Sequence, residues 1–286
     1  MISSSASKTG ELYIVGTPIG NLKDISARAI QALEQVDIIL SEDTRHSQHL
    51  LQHLGIKKPL MAFHAHNEQT KTPEIVKALQ QGRSYALISD AGTPLISDPG
   101  YPLVHAARLA DIPVIPIPGP CAFITALSAA GIPCDTFSFF GFLPAKSKAR
   151  REKLATLLSL NHTLIFYEST HRIHECLEDL KDLFGAHCEL ILVKELTKTF
   201  ERFIQGSITM VIAWLERDPA HAKGEFVIMI PPRPIIPSKQ TGKDILALLL
   251  QELPLKQAVR LAAVISQTSK NELYQWALDW QKQSGE

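Results

Sequence analysis

Short aliphatic runs ending in glycine, proline or acidic residues recur through the first part of the chain. Residues 12–16 (LYIVG), 36–40 (VDIIL), 60–63, 85–88 and 114–117 read as buried strands. Between them, apolar residues fall at helical spacing. Ile25, Ala29, Ile30 and Leu33 follow Asp24, which is expected to cap their helix. A second helix is expected to open at Thr72 with Pro73 in its first position and Gly82 just past its end. A third runs from 101 to 110. Regular alternation of strand and helix predicts an α/β fold class with a largely parallel sheet over residues 11–118.

The step Pro118-Gly119-Pro120 then reads as a hinge, followed by a helix over 122–130 that Gly131 stops. Strands are predicted at 136–142, 163–167, 188–193, 201–205 and 225–230, with helices over 147–158, 171–184 and 207–215. The middle helix is amphipathic, with Ile173, Leu177, Leu180 and Leu183 on one face. Residues 119–232 therefore form a second α/β domain. Pro231, Pro232, Pro234 and Pro237 predict a stiff linker. It leads to a small helical module within 233–286, with one helix over 255–265 and another opened by the capping box Ser269-Lys-Asn-Glu272. The pair resembles a helix-turn-helix, but its few basic residues favour a stabilising appendage over nucleic-acid binding.

Composition narrows the picture. Across 286 residues, 45% hydrophobic, the chain suits about two domains. Its 29 basic and 29 acidic residues exclude a global field for a polyanion, so any such site is a local patch. Four cysteines without CxxC or zinc spacing indicate reduced thiols and a cytoplasmic protein. His64 and His66, two positions apart without a nearby cysteine, make a weak ligand set, so no metal is expected. Residues 1–10 are polar and lack the apolar core of a signal peptide, which predicts a disordered leader. No apolar stretch approaches the roughly 20 residues of a membrane span.

The candidate chemistry sits in the loops at strand ends. After strand 85–88 comes SDAGTPLISDPG, residues 89–100, which holds Asp90, Asp98, two glycines and two prolines on an apolar frame. Such punctuation predicts a rigid loop at the carboxyl edge of the sheet, where open α/β folds bind ligands. The first strand runs into GTPIGN, which is neither a dinucleotide fingerprint nor a phosphate loop. Its Pro18 lacks an N–H and so points to shape complementarity rather than phosphate cradling. Ser41-Glu42-Asp43-Thr44-Arg45 reads either as a capped helix start or as a polar cluster facing the same cleft as Asp90. Between Lys146 and Lys153, KSKARREK sets five basic residues against one acid. Lys146, Lys148, Arg150 and Arg151 then suit phosphate of any origin or simply form a solvated helix face; Arg45 and Arg172 are further basic candidates.

The ordered set VGTPIGNL, SEDTR, SDAGTPLISDPG, PGPCA, GFLPAKSKAR, FYESTHR and KELTKTFE, spread over nearly the whole chain, resembles the tetrapyrrole-methylase superfamily. Within it, the resemblance is to the group that methylates small-subunit ribosomal RNA. It implies two α/β domains with S-adenosylmethionine bound between them, usually in a homodimer. It also implies methylation of a cytidine 2′-hydroxyl in the decoding region of 16S rRNA, with that rRNA or the small subunit as partner. By the same resemblance Ile19, Asp90, Ala91, Gly92 and Thr93 contact the cofactor, with Ile96 nearby. Cys121 and Ala122 offer a helix N-terminus to it, and Phe166 and Tyr167 close the cleft from the second domain. Two positions depart from the family pattern: Cys121 replaces a serine and Thr170 a proline. A 2′-hydroxyl is a weak nucleophile that benefits from a general base. Glu168 is the candidate, although it suits equally a cap of the next helix. Two rivals stand beside this reading: a tetrapyrrole-modifying relative, and a non-catalytic nucleotide-binding or RNA-scaffolding protein.

Overall fold

A computed structural model of the protein describes residues 9–233 and 242–283. Residues 1–8 of the leader expected over 1–10 and the linker prolines Pro234 and Pro237 lie outside the described residues. Order is already present at Gly10, which is buried and whose N–H donates to the Leu79 carbonyl at 2.7 Å.

The first sheet is parallel throughout. Its strands are β1 (Leu12–Val15), β2 (Ile38–Ser41), β3 (Leu60–Ala62), β4 (Tyr85–Ile88) and β5 (Val114–Ile117), in the spatial order β3-β2-β4-β1-β5. Helices cover both faces. On one side α1 (Ala27–Gln35) and α2 (Thr44–His53) pack through Ala29, Leu33 and Leu51 against Val15, Ile39 and Ile88. On the other, α3 (Glu68–Gln80) and α4 (Tyr101–Leu109) place Ile75, Leu79 and Leu103 against Leu12, Leu40 and Leu87. Each such aliphatic side chain contributes about 1.5–3 kcal/mol by burial. β1 and β4 are neighbours, yet β1 connects through α1 to β2 and β4 through α4 to β5. Their chains leave in opposite directions, and a crevice opens at their carboxyl ends.

Two helix starts differ from expectation. Ser26, not Asp24, caps α1, its hydroxyl accepting from the Ala29 N–H at 3.1 Å; Asp24 ends a 3₁₀ turn over Leu22–Asp24 that Asn21 caps. α3 begins at Glu68, so Thr72 and Pro73 lie inside it. The Thr72 hydroxyl bonds back to the Glu68 carbonyl at 2.7 Å, and Pro73 removes one N–H from the ladder.

The second sheet is mixed. Its strands are β6 (Phe137–Phe142), β7 (Thr163–Ser169), β8 (Glu189–Lys194), β9 (Arg202–Ser207) and β10 (Glu225–Ile230), ordered β6-β7-β10-β8-β9. Only β6 and β7 run parallel. One face packs α5 (Ala122–Ala129) through Phe123, Ala126 and Leu127. The other packs α6 (Ser147–Ala155), α7 (Ile173–Phe184) and α8 (Ile208–Glu216). The step at Pro118–Pro120, read as a hinge, is held closely. A Cβ on Gly16 would stand 3.0 Å from the Gly119 Cα, and the Thr93 hydroxyl donates to the Pro120 carbonyl at 2.9 Å.

Both sheets belong to one compact unit that ends at Arg233. The second unit holds α9 (Gly242–Leu249), which the sequence pattern did not single out, α10 (Leu255–Ser266) and α11 (Lys270–Gln283). Leu246, Val259, Ala262, Leu273 and Ala277 make its core.

Candidate active site

The two loops at the crevice are tied to one another. Thr17 and Gly92 exchange backbone hydrogen bonds of 2.8 and 3.1 Å, and the buried Thr17 hydroxyl donates to the Ser89 carbonyl at 3.0 Å. The Ser89 hydroxyl closes the turn onto the Gly92 carbonyl at 2.9 Å. Four residues of the 89–100 loop hold positive φ: Gly92 (88°), Leu95 (72°), Ser97 (70°) and Gly100 (130°). Such conformations cost about 1–3 kcal/mol each at non-glycine residues and persist only where surrounding bonds impose them. Here the far end is pinned as well, because the Gly100 N–H donates to Glu68 Oε2 at 2.9 Å.

A cleft of about 370 Å³ lies against this loop, within the range of small-molecule sites (about 300–1,000 Å³). Of the sequence candidates, Ile19, Asp90, Ala91, Gly92, Thr93, Ile96, Cys121, Ala122, Tyr167 and Glu168 border it. Pro18 does not; it is buried behind the loop. Phe166 does not either. Successive strand residues face opposite sides of a sheet, so Tyr167 faces the cleft and Phe166 the core, where it stacks on Phe140 at 5.5 Å. The Tyr167 hydroxyl accepts from the Phe123 N–H at the start of α5 at 3.0 Å. Burial holds that phenol above its ordinary range, and the nearby Cys121 and Asp98 add to the effect.

Glu168 shares the parity of Phe166. Its side chain is completely buried, one carboxylate oxygen accepting from the Ser169 N–H at 2.9 Å and facing Arg172 Nε at 3.3 Å. It also stands by Cys176 on α7, whose thiol is pushed up by burial and then by the Glu168 charge. Glu168 thus borders the cleft with a side chain that is buried and engaged by Ser169 and Arg172, an arrangement that argues against its expected role as general base.

The cleft's charge is one-sided. Glu42, Asp90, Asp98 and Glu225 border it, and among the described residues that line it there is no Lys, Arg or His. Asp43 both caps α2, accepting from the Arg45 N–H at 2.8 Å, and donates its own N–H to Asp90 Oδ1 at 3.2 Å. The capped helix start is therefore present, and of the 41–45 segment Glu42 borders the cleft. Asp98 is pushed up to about 6, by burial first and then by Glu42 and Asp90, with a hydrogen bond from Ser89 opposing. Sequence reasoning passed over Glu225, Val193 and Leu196; the first two lie on β10 and β8 and the third in the turn after β8, all distant in sequence from the loop and without a local signal.

Of the basic candidates, Lys146 and Lys148 are exposed, and the Arg45 side chain is 90% exposed beside Asp43. Arg150 is not on the surface. It is fully buried, with Nε on Asp179 Oδ2 at 2.7 Å and Nη1 on the Ala145 carbonyl at 3.2 Å. The expectation that Arg150 contacts phosphate is corrected, because no phosphate reaches it. Arg151 bonds Asp179 and Asp182 at 3.2 and 2.6 Å. Arg172 is engaged by Glu168 and by the Leu143 carbonyl. Both are occupied as structural ties.

Residues 11–211 match the family model of the Tetrapyrrole (Corrin/Porphyrin) Methylases, and residues 238–281 match that of the RsmI C-terminal HTH domain. The chain is 52% identical over 278 residues to the "Ribosomal RNA small subunit methyltransferase I" of Pasteurella multocida, covering 95% of this chain and 98% of that one. It is 50% identical over 285 residues to the protein of that name from Escherichia coli O157:H7, covering 97% and 98%. Among solved structures, diphthine synthase aligns with a TM-score of 0.61 at 12% identity, over 78% of this chain and 90% of that one. A cobalt precorrin-4 methyltransferase aligns with a TM-score of 0.57 at 15% identity, over 77% and 94%.

Proposed function

The chain belongs to the tetrapyrrole methylase family, and we propose that it transfers a methyl group from S-adenosylmethionine to the 2′-hydroxyl of a cytidine in the decoding region of 16S rRNA. The observation that carries this reading is the cleft bordered by carboxylates, with no Lys, Arg or His among the described residues that line it. A sulfonium donor is cationic at sulfur and at its α-ammonium, so it suits those walls. A flat, multiply anionic macrocycle would meet only like charge, which disfavours the tetrapyrrole rival. The relatives' shared name supplies the substrate class, ribosomal RNA of the small subunit.

The residues present fit the donor. Gly92 leaves the loop open, since an added Cβ would stand 3.4 Å from Ile19 Cγ2 and 3.7 Å from the Pro120 carbonyl. Ala91 and Thr93 flank it with small side chains. Asp90, one oxygen fixed by the Asp43 N–H, accepts from the ammonium or a ribose hydroxyl. The α5 N-terminus at Cys121 and Ala122 suits the donor's carboxylate. When bound, the donor supplies an electrophilic methyl group, and the cleft walls hold it in line with the hydroxyl, a positioning effect of about 7–11 kcal/mol. Lys146, Lys148 and Arg45 remain as surface cations for RNA phosphates. The working enzyme is a cytoplasmic homodimer.

Mapping 2′-O-methylation of 16S rRNA from cells with and without the gene tests the reading; loss of one cytidine methylation is expected. In parallel, calorimetry should show one S-adenosylmethionine site per chain that Asp90→Ala weakens at least tenfold, or about 1.4 kcal/mol. An unchanged rRNA pattern would overturn the reaction, and an unchanged affinity would remove Asp90 from the site.

A further inference from the structure

With the Glu168 side chain buried against Ser169 and Arg172, the other carboxylates of the cleft are the candidates for proton acceptor. Asp90 has one oxygen committed to the Asp43 N–H. Glu225 pairs through Oε2 with Lys198 at 2.8 Å, and its side chain is 76% exposed. Glu42 lies exposed at the mouth. Asp98 is half-buried, borders the cleft and has no Lys or Arg partner among the described residues; Asp90 shares these features but has one oxygen held by the Asp43 N–H. It follows Ser97, whose left-handed backbone turns the chain at that point, and Pro99 and Gly100 follow it. The Gly100 anchor on Glu68 fixes the loop's end two residues away.

We propose that Asp98 is the catalytic residue that accepts the proton of the substrate hydroxyl. This rests on the reading of methyl transfer to a ribose 2′-hydroxyl. In the step, the hydroxyl oxygen forms a bond to the methyl carbon as the carbon–sulfur bond breaks. The sulfur keeps that electron pair and becomes a neutral thioether, and the hydroxyl proton passes to the Asp98 carboxylate.

The surroundings suit the task. A base works best with its pKa near the working pH, and an ordinary aspartate lies well below it. Burial, Glu42 and Asp90 together bring Asp98 to about 6, while the Ser89 hydroxyl restrains the rise. On the opposite wall its charge reaches the Tyr167 phenol, which stays neutral because burial holds its proton on. Asp98, on the 89–100 loop, is therefore near enough to the second sheet for its charge to act on Tyr167, and is more basic than a solvated carboxylate.

The test compares wild type, Asp98→Asn and Asp98→Glu. Single-turnover methyl transfer to small-subunit rRNA is followed from pH 5 to 9, and S-adenosylmethionine affinity is measured by calorimetry. Wild type should gain rate as pH rises through an inflection near 6, and its Asp98 carboxyl carbon should titrate over the same range by NMR. Asp98→Asn should lose about 100- to 10,000-fold in rate, lose that inflection and keep donor affinity within threefold; Asp98→Glu should recover part of the rate. Asp98→Asn with a wild-type rate, or with donor affinity lost in step with its rate, overturns the assignment. Wild type that methylates no RNA overturns the underlying reading as well, which separates the two failures.

Discussion

Cys121 sits at the N-cap of α5, a place that favours serine, threonine, aspartate or asparagine because their oxygens accept from free N–H groups. A thiol accepts weakly. Burial pushes the Cys121 thiol up more than the neighbouring Ile124 and Phe123 N–H groups pull it down, so it is protonated at neutral pH. Replacing Cys121 with serine should stabilise the protein by about 0.5–1 kcal/mol, read from the urea midpoint, with donor affinity kept. A destabilised variant would mean that the pocket needs sulfur's bulk. The neighbouring residues on β7 show what the sequence did and did not disclose. FYES carries the alternation of a strand, and that alternation permits only one of Phe166 and Tyr167 to face the cleft. Because Phe166 and Glu168 share a parity, assigning Tyr167 to the cleft already turns both of their side chains towards the other face. The parity was legible in the sequence, but the face was not, because the choice depends on which helices pack where.

At the scale of elements, the order of strands and helices was readable, since apolar runs and their turn residues are local signals. The basic run at the start of α6 was not. Its local pattern is that of an exposed helix face, yet Arg150 is buried and paired with Asp179 on α7, far along the chain, and no local spacing announces that partner. The Ser147 hydroxyl and Arg151 converge on the same carboxylate, at 2.9 and 3.2 Å. This makes Asp179 the pin between α6 and α7. Burial raises its pKa, but hydrogen bonds from Arg150, Ser147 and Arg151 outweigh it and hold it below the usual carboxylate range. A depressed folded-state value gives stability that is complete above the unfolded pKa, about 3.9, and lost as pH falls towards the folded one. Asp179→Ala strands a buried guanidinium and should cost about 3–5 kcal/mol at pH 7. Urea unfolding at pH 7 and pH 3 should show the gap between variant and wild type narrowing in acid. An equal gap at both would mean that the loss is packing alone.

For the whole molecule, a formal charge of zero conceals a separation of signs. Carboxylates gather at the cleft, while Lys146 and Lys148 stand exposed four and six residues beyond Phe142, which borders it. RNA carries its charge on phosphates and offers neutral ribose hydroxyls. A polyanion that must present a hydroxyl to acidic walls needs cations outside those walls to hold its backbone. With Arg150 buried and Arg151 tied to two aspartates, the proposed phosphate contacts at α6 come down to two exposed lysines rather than four basic residues. Each phosphate contact on a single strand releases counterions and adds about 0.7 to the slope of log affinity against log salt. Replacing Lys146 and Lys148 together with alanine should therefore lower that slope by about 1.4, weaken RNA binding at low salt, and leave S-adenosylmethionine affinity unchanged. Filter binding of small-subunit rRNA between 50 and 200 mM salt, roughly the window over which such effects are large, measures it. Replacing Arg151 alone should leave the slope unchanged and instead lower the urea midpoint, because its charge is spent within the fold. A double lysine variant with the wild-type slope would place the RNA grip elsewhere on the molecule.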